Sequence, residues 1–285
     1  MSTPKMIFSG HESFHCRLFW LKKGFDFVQS GKKFSEESSV VDLGVGKNMV
    51  IAIRHWMKAF DLLDEKEKLT LLATNLFGSK GWDPYLEDEG TLWLLHYHLT
   101  RKGYASIFKI IFTELRRNKP EFTRTHFYSL VSKSGGTFSE ATLSKDFSAF
   151  QNMYVATASS KSDVEDSYSG ILTELGLVQS KRNETLVIEG KRRPEIPAPI
   201  ILFAILENEY FKKSLSIGFD QLYSDPDSVG AIFALNRDGL TEKLEEIQSQ
   251  YPDITFKNEA GIRELQFKKR PEPFNVLKKY YGRKI

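Results

Sequence analysis

The sequence predicts a mainly helical α+β protein, built from tandem winged-helix or helix-turn-helix-like modules with short β-hairpins. Apolar residues recur with helical periodicity along most of the chain. In residues 35–63, "SEESSVVDLGVGKNMVIAIRHWMKAFDLL", a glycine-containing turn separates two such helical patterns. In residues 254–267, "ITFKNEAGIRELQF", two alternating arms flank Gly261, as expected of a hairpin.

Composition narrows the class of protein before any motif is considered. The chain has 285 residues, a net charge of only +3 and a single cysteine, Cys16. One cysteine forms no intrachain disulfide and excludes a cysteine-rich zinc module, which is typical of a reducing cytoplasm. The N-terminus lacks a signal peptide, and the most apolar run, residues 197–206, is too short to span a bilayer. We therefore expect a cytoplasmic protein with no membrane partner.

Two polar segments predict the domain boundaries. They are "TRKG" at residues 100–103 and the basic, proline-rich "EGKRRPEIPAP" at residues 189–199. The predicted domains are an N-terminal winged-helix-like domain, a middle winged-helix-like domain and a C-terminal helical domain with a hairpin and a basic tail. Their ranges are 1–99, 100–190 and 191–285.

The second helix of the first domain has an apolar face and a basic face. The apolar face comprises Met49, Ile53, Trp56, Met57 and Phe60. The opposite face comprises Lys47, Ile51, Arg54 and Lys58. With Asn48 at its start, this helix fits the recognition helix of a DNA-binding domain, followed by a strand and a further helix in residues 68–78. The alternative is an ordinary solvated helix face.

The middle domain repeats the arrangement in residues 122–155. A helix, a Gly-Gly loop and a second helix are predicted, the second helix capped by Ser139. A short strand is expected in residues 184–190. The predicted core stripe of the second helix is Leu143, Phe147, Phe150 and Tyr154.

The last domain ends in a segment that mixes basic and aromatic residues. An amphipathic helix is predicted in residues 240–250, before the hairpin. Residues 268–285 then carry basic side chains interleaved with aromatic ones, a pattern that suits a nucleic-acid backbone with base stacking. The candidate DNA contacts here are Lys268, Lys269 and Arg270. The alternative is a solubilising tail.

Residues 11–15, "HESFH", have the H-E-x-x-H spacing of zinc metalloproteases. Only ten residues precede His11, too few for the sheet that usually aligns a substrate. A helix that starts near Ser13 also does not place His11 and His15 on one face. A metalloprotease is therefore the least favoured hypothesis, and it requires stoichiometric zinc.

Residues 44–48, "GVGKN", resemble a phosphate loop without matching its pattern. Val41 stands at the upstream glycine position, and Asn48 stands where serine or threonine would hold magnesium. A tight turn before a helix explains the segment better. Exposed amides at the start of that helix are expected to suit a DNA phosphate.

Residues 83–98, "DPYLEDEGTLWLLHYH", begin with a cluster of carboxylates. Asp83, Glu87 and Asp88 are candidate ligands of a divalent cation that activates water. The alternative is an acidic loop that caps the following helix.

The segment "FSGHESFHCRLFWLKKGFD", residues 8–26, resembles the opening of the SspB-like family of single-strand DNA phosphorothioation systems. Blocks at residues 43–56, 83–96 and 165–178 are similar to further family segments, so the resemblance covers most of residues 8–178. The matching positions in the first block are His11, Glu12, Phe14, Arg17, Trp20, Leu21, Lys22, Lys23 and Gly24.

This resemblance implies a component of an anti-phage DNA modification system. It implies a nickase that opens one strand for sulfur incorporation, with a sulfurtransferase related to phosphoadenosine-phosphosulfate reductase as partner. The candidate catalytic residues are His11, Glu12, Asp83 and Asp88. The candidate ligands of magnesium or manganese are Glu12, Asp83, Glu87 and Asp88. The candidate phosphate contacts are Arg17, Lys22 and Lys23.

The alternative is a non-catalytic DNA-binding adaptor or transcription regulator. In that case His11 and Glu12 form a buried charged pair that locks the N-terminal segment onto a helix. The sequence leaves the oligomeric state and the DNA preference open.

Overall fold

The computed structural model describes residues 6–135, 137–156, 170–259 and 261–282. The fold is mixed α+β, about 51% helical with two small antiparallel sheets, so the predicted fold class is confirmed at that level. The chain forms two compact units, Met1–Ile188 and Glu189–Ile285. The finer division into three domains stays a prediction.

The first unit is predominantly helical. Its α-helices are α1 Trp20–Gln29, α2 Ser39–Leu43, α3 Lys47–Ala59, α4 Leu71–Phe77, α5 Glu89–Lys102, α6 Ser106–Ile110, α7 Arg116–Asn118, α8 Arg124–Lys133 and α9 Glu140–Tyr154. A π-helical turn, Ile111–Leu115, joins α6 to α7, and a 3₁₀ turn spans Thr173–Leu175. The strands are β1 Glu121–Phe122, β2 Gln179–Ser180 and β3 Leu186–Val187, with β3 in the centre of the sheet.

Helix α5 lies in the core of the first unit, because every residue from Gly90 to Thr100 is buried. Helix α5 contributes Trp93 and Tyr97 to this core, and its buried His96 forms a hydrogen bond with the hydroxyl group of Tyr154 at 2.7 Å. Aromatic rings from α6 and α9 complete this core, including Phe108 and Phe150, whose ring centroids lie 5.5 Å apart.

The helix–turn–helix prediction for residues 35–63 is confirmed. Helix α2 ends at Gly44, whose φ of +61° lies in the left-handed region that glycine adopts at low cost. Between α3 and α4 the predicted strand is reduced to one isolated bridge, Leu63 to Leu69. Residues 60–70, all described, therefore supply no hairpin wing, and a winged-helix module is not confirmed here.

The second unit packs helices against the other sheet. Its α-helices are α10 Ala198–Glu207, α11 Phe219–Ser224, α12 Val229–Ile232, α13 Arg237–Gln250 and α14 Pro273–Tyr281. The strands are β4 Ser216–Gly218, β5 Ile254–Glu259 and β6 Ile262–Phe267, with β6 in the centre. The predicted hairpin is confirmed, since Glu259 pairs with Ile262 and Gly261 has a φ of +81°.

Helix α10 contains most of the apolar run in residues 197–206, and its residues from Ala198 to Leu206 are buried. Within the part of the chain that the structure describes, no helix has both the length and the apolar character needed to cross a bilayer. The single cysteine, Cys16, is fully buried in the first unit, and burial raises the pKa of its thiol.

Candidate nucleic-acid interface

The residues of the "HESFH" motif form a tight turn. We call residues 10–14 the N-terminal turn. The amide N–H of Phe14 donates to the carbonyl oxygen of His11 at 2.8 Å, and α1 begins only at Trp20. The prediction of a helix from Ser13 is therefore wrong. Glu12 and Ser13 have φ values of +48° and +69°, which a right-handed helix does not accommodate.

The imidazole of His11 points into the protein. Only 1% of His11 is exposed, and its Nε2 lies 3.4 Å from Oδ1 of Asp146 on α9. The other carboxylate oxygen of Asp146 accepts the amide N–H of Ser9 at 2.8 Å. Glu12 is exposed, so the predicted pair of His11 with Glu12 is wrong. Instead, the buried imidazole of His11 lies against the carboxylate of Asp146, which also accepts the Ser9 amide.

Helix α3 supplies the other wall of the His11 pocket. The Trp56 ring stacks on the His11 ring at 5.6 Å, and its Nε1–H donates to the carbonyl oxygen of Phe14 at 3.0 Å. The rings of His55 and His11 pack edge to face, with their centroids 5.7 Å apart. Gly10 lies so close to the His55 ring that a Cβ at this position would clash with it. Burial, with a smaller effect of the His11 charge, lowers the pKa of His55 to about 3.

The acidic loop before α5 is organised by hydrogen bonds to its own backbone. The buried carboxylate of Asp83 accepts the amide N–H groups of Glu87 at 2.9 Å and Asp88 at 3.0 Å. The Asp88 side chain in turn caps α5 by accepting the amide N–H of Gly90 at 2.8 Å. This geometry supports the alternative in which the acidic loop caps the helix.

The four predicted metal ligands do not assemble into one site. Magnesium prefers carboxylate oxygens, yet both oxygens of Asp83 already accept N–H groups. Throughout the described ranges, no group of three or more His, Cys, Asp or Glu side chains is placed to hold a metal ion. Glu12, Asp83, Glu87 and Asp88 therefore do not fit a metal centre as a set, and their metal-binding role stays a prediction.

The basic face of α3 is partly neutralised. Glu67, which the sequence analysis did not single out, accepts a hydrogen bond from Nε of Arg54 at 2.7 Å and lies 3.4 Å from Nζ of Lys58. Lys47 and Asn48, in contrast, are exposed in the first turn of α3. The positive charge that faces solvent on this helix is therefore concentrated at its N-terminal end.

A groove opens beside that end of α3. We call it the turn groove; its volume is about 420 Å³. Its described lining contains the cations Arg17 and Lys23 and no acidic residue. The Arg17 guanidinium lies 5.4 Å from the centre of the Trp20 ring, and Nζ of Lys23 donates to the carbonyl oxygen of Leu43 at 3.1 Å. The lining residues are Arg17, Leu18, Phe19, Trp20, Lys23, Gly44, Val45, Gly46 and Met49.

The remaining predicted contacts are distributed between the two units. Lys22 pairs with Asp26 at 2.5 Å on the surface of α1. In the second unit Lys268 and Lys269 are exposed, whereas residues 283–285 lie outside the described residues.

Arg270 is used inside the second unit. Its guanidinium donates to the carbonyl oxygens of Ser214 at 3.0 Å and of Ile205 and Leu206 at 3.4 Å. The last two carbonyls belong to the final turn of α10, where a helix leaves carbonyls without partners. Partial burial lowers the pKa of Arg270. This side chain therefore closes the end of a helix, and we leave it out of the candidate interface.

Comparison with known proteins agrees with this fold. Residues 8–281 match the family described as "Protein of unknown function (DUF4007)". The chain belongs to this family. A crystal structure of magnesium ion-bound SspB superposes with a TM-score of 0.85 and 28% identity, over 96% of this chain and 88% of that chain. A second SspB crystal structure gives 0.82 and 29%, with the same coverage. The resemblance of this DUF4007 member to SspB-like proteins is thus confirmed, and no curated protein sequence matches it.

Proposed function

We propose that this chain is the DNA-binding component of a bacterial DNA phosphorothioate modification and anti-phage defence system. Two findings support the proposal: the likeness to SspB over nearly the whole chain and the turn groove, whose lining is cationic without an acid. The observation that carries the DNA-binding part is this groove beside the start of α3.

The turn groove suits a phosphate for two physical reasons. Backbone N–H groups at a helix N-terminus are oriented toward solvent, and the helix dipole favours an anion there. Arg17 and Lys23 add full positive charges on one side, and Lys47 and Asn48 extend the polar surface along the first turn of α3. Each phosphate neutralised in this way releases counterions, so binding weakens as salt rises.

Nicking of one DNA strand is the activity we assign first to this component, and a sulfurtransferase is the proposed partner that adds sulfur. SspB has been crystallised with a magnesium ion, which makes magnesium or manganese the first cations to test here. Because the predicted carboxylates do not fit a metal centre as a set, we route no step of the reaction through them.

A non-catalytic adaptor is the second candidate function. It is favoured by the use of Asp83 and Asp88 in the acidic loop and by the burial of His11, since a general base must reach the proton that it removes. In this alternative the chain presents DNA to its partner, or regulates, without cutting it.

Nicking of supercoiled plasmid, with and without magnesium or manganese, tests the activity. The Glu12→Gln and Asp88→Asn proteins run in parallel, because both substitutions remove a charge while keeping shape. Cation-dependent conversion to open circles that one substitution abolishes supports the nickase. No conversion by protein that still binds the plasmid supports the adaptor.

DNA binding is tested separately by a salt titration of the Lys23→Ala/Lys47→Ala protein. If both lysines contact phosphates, the slope of log K against log salt becomes shallower by about 1.8, from roughly 0.9 per phosphate contact. Lys145→Ala, an exposed lysine on α9, is the matched control. An unchanged slope in the double variant contradicts the assignment of this groove.

A further inference from the structure

Two large aromatic side chains are exposed beside the turn groove. Phe19 is 56% exposed, and Tyr85, in the loop between α4 and α5, is 62% exposed. Both line a second groove of about 550 Å³, which we call the aromatic groove. The aromatic groove shares Phe19, Lys23 and Gly44 with the turn groove, so the two grooves adjoin.

The aromatic groove combines these rings with lysines. Lys22, Lys23 and Lys32 line it, together with Asp26 and Asp42. The two acids pair with two of the lysines, Lys22 with Asp26 at 2.5 Å and Lys32 with Asp42 at 2.8 Å. Partly exposed pairs of this kind add little stability, because water screens them, so an incoming phosphate competes readily for the lysines.

Charge favours an anionic partner over the two grooves together. The cations are Arg17, Lys22, Lys23 and Lys32, against the acids Asp26 and Asp42, which leaves an excess of two positive charges among the lining residues. Val41, which is also exposed, adds apolar surface to the same groove. The surface therefore offers flat rings and apolar area for a base, next to cations for a phosphate.

We propose that the aromatic groove binds a single-stranded segment of DNA, with bases stacked on Phe19 and Tyr85 and the backbone held by Lys23 and the turn groove. This inference rests on the DNA binding proposed above. In a duplex the faces of the bases are covered by their neighbours, so a side-chain ring has no face on which to stack. An unpaired strand exposes those faces, and aromatic platforms in a basic groove are how proteins bind it.

Fluorescence anisotropy with a labelled 12-nucleotide oligothymidylate and a 12-base-pair duplex tests the inference. The Phe19→Ala/Tyr85→Ala protein is expected to bind the single strand at least 25-fold more weakly, from about fivefold for each lost stack. Its salt slope is expected to stay unchanged, because a stacked ring releases no counterions. The Tyr85→Ala protein, whose altered side chain lines the aromatic groove but not the turn groove, is expected to bind the single strand about fivefold more weakly and the duplex within twofold of the unmodified protein.

Two further variants make the result specific. Tyr210→Ala removes another exposed tyrosine, 73% exposed in the second unit, and is expected to bind the single strand as the unmodified protein does. Phe19→Leu keeps apolar bulk but removes the flat ring, and it is expected to lose most of what Phe19→Ala loses. Thermal unfolding is expected to be nearly unchanged in all variants, since each altered side chain is exposed.

Three outcomes overturn the inference. They are full binding of the single strand by the double variant, equal weakening of strand and duplex binding by Tyr85→Ala, and full binding of the single strand by Phe19→Leu, which would show that no base stacks on this ring. Failure of the proposed function looks different, because in that case the unmodified protein binds neither DNA.

Discussion

The N-terminal turn and the first residues of the turn groove are close in sequence, yet they differ in the exposure of their ionisable side chains. In the N-terminal turn His11 faces inward onto Asp146, and the amide N–H of Ser9, just before the turn, donates to the same carboxylate. In the turn groove Arg17 and Lys23 line an open surface. Both segments carry residues of the kind that suggest chemistry. Exposure, which a motif does not encode, therefore separates a group that is available to a ligand from a group that holds the fold.

The contacts of His11 hold the "HESFH" segment against α9 and α3. Removing one partner of a buried polar contact is costly, because no water replaces the partner that the remaining group has lost. The N-terminal turn therefore depends on α9 and α3 being in place. The exposed cations of the turn groove depend far less on neighbouring residues, since water can solvate them.

The largest expected effect comes from Asp146→Ala. The substitution removes the partner of His11 and the acceptor of the Ser9 amide, both buried or partly buried. We expect the free energy of unfolding to fall by about 3 kcal/mol or more. Urea unfolding measures it, with Lys145→Ala, one residue away on the same helix and exposed, as control. Equal stability of the two variants would show that the N-terminal turn is held in another way.

A smaller effect is expected from pH. The folded pKa of His55 is about 3, below its ordinary value of 6.5, so the unfolded chain binds the proton more readily. Its contribution to stability is complete above pH 6.5 and is lost as pH falls toward 3. Between pH 7 and pH 5 the loss is about 2 kcal/mol.

The His55→Phe protein isolates this term. Urea unfolding at several pH values is expected to show a shallower fall of stability in the variant, because a phenyl ring takes up no proton in the unfolded chain. If the stability of the two proteins fell in parallel as the pH is lowered, His55 would not be a group that is buried in its neutral form.

The smallest effect is expected from Asp83→Ala. The carboxylate organises a loop by accepting two amide N–H groups, so its loss is expected to cost about 1–2 kcal/mol of stability. Duplex binding is expected to be unchanged, because no residue of this loop lines the turn groove. Asp83→Asn keeps one acceptor oxygen and is expected to lose about half as much. If Asp83→Ala instead abolishes nicking at unchanged stability, the acidic loop belongs with the exposed functional surface.

Features that depend on neighbouring residues could be predicted from the sequence. The hairpin turn at Gly261 and the cap by Ser139, which accepts the amide N–H of Thr142 at 3.1 Å, are examples. The turn between α2 and α3 is a third, because a glycine there adopts the left-handed conformation. In each case the physical cause lies within a few residues.

Pairings over long separations could not be predicted. Ser9 and Asp146 are 137 positions apart, and nothing local marks Asp146 as buried on the same helix on which Lys145 is exposed. The helix predicted from Ser13 failed because two left-handed residues, neither of them glycine, interrupt it. The exposure of Phe19 could not be predicted either, because the next residue, Trp20, is also aromatic and is buried.

The burial of Cys16 has a practical consequence. Only the thiolate reacts with a disulfide reagent, and in the folded chain this sulfur is both enclosed and held in its thiol form. Since the chain has no other cysteine, the rate of thiol modification under native conditions depends on how often the structure exposes Cys16. Reaction of Cys16 with such a reagent therefore reports how often the structure around this residue opens, without any introduced label.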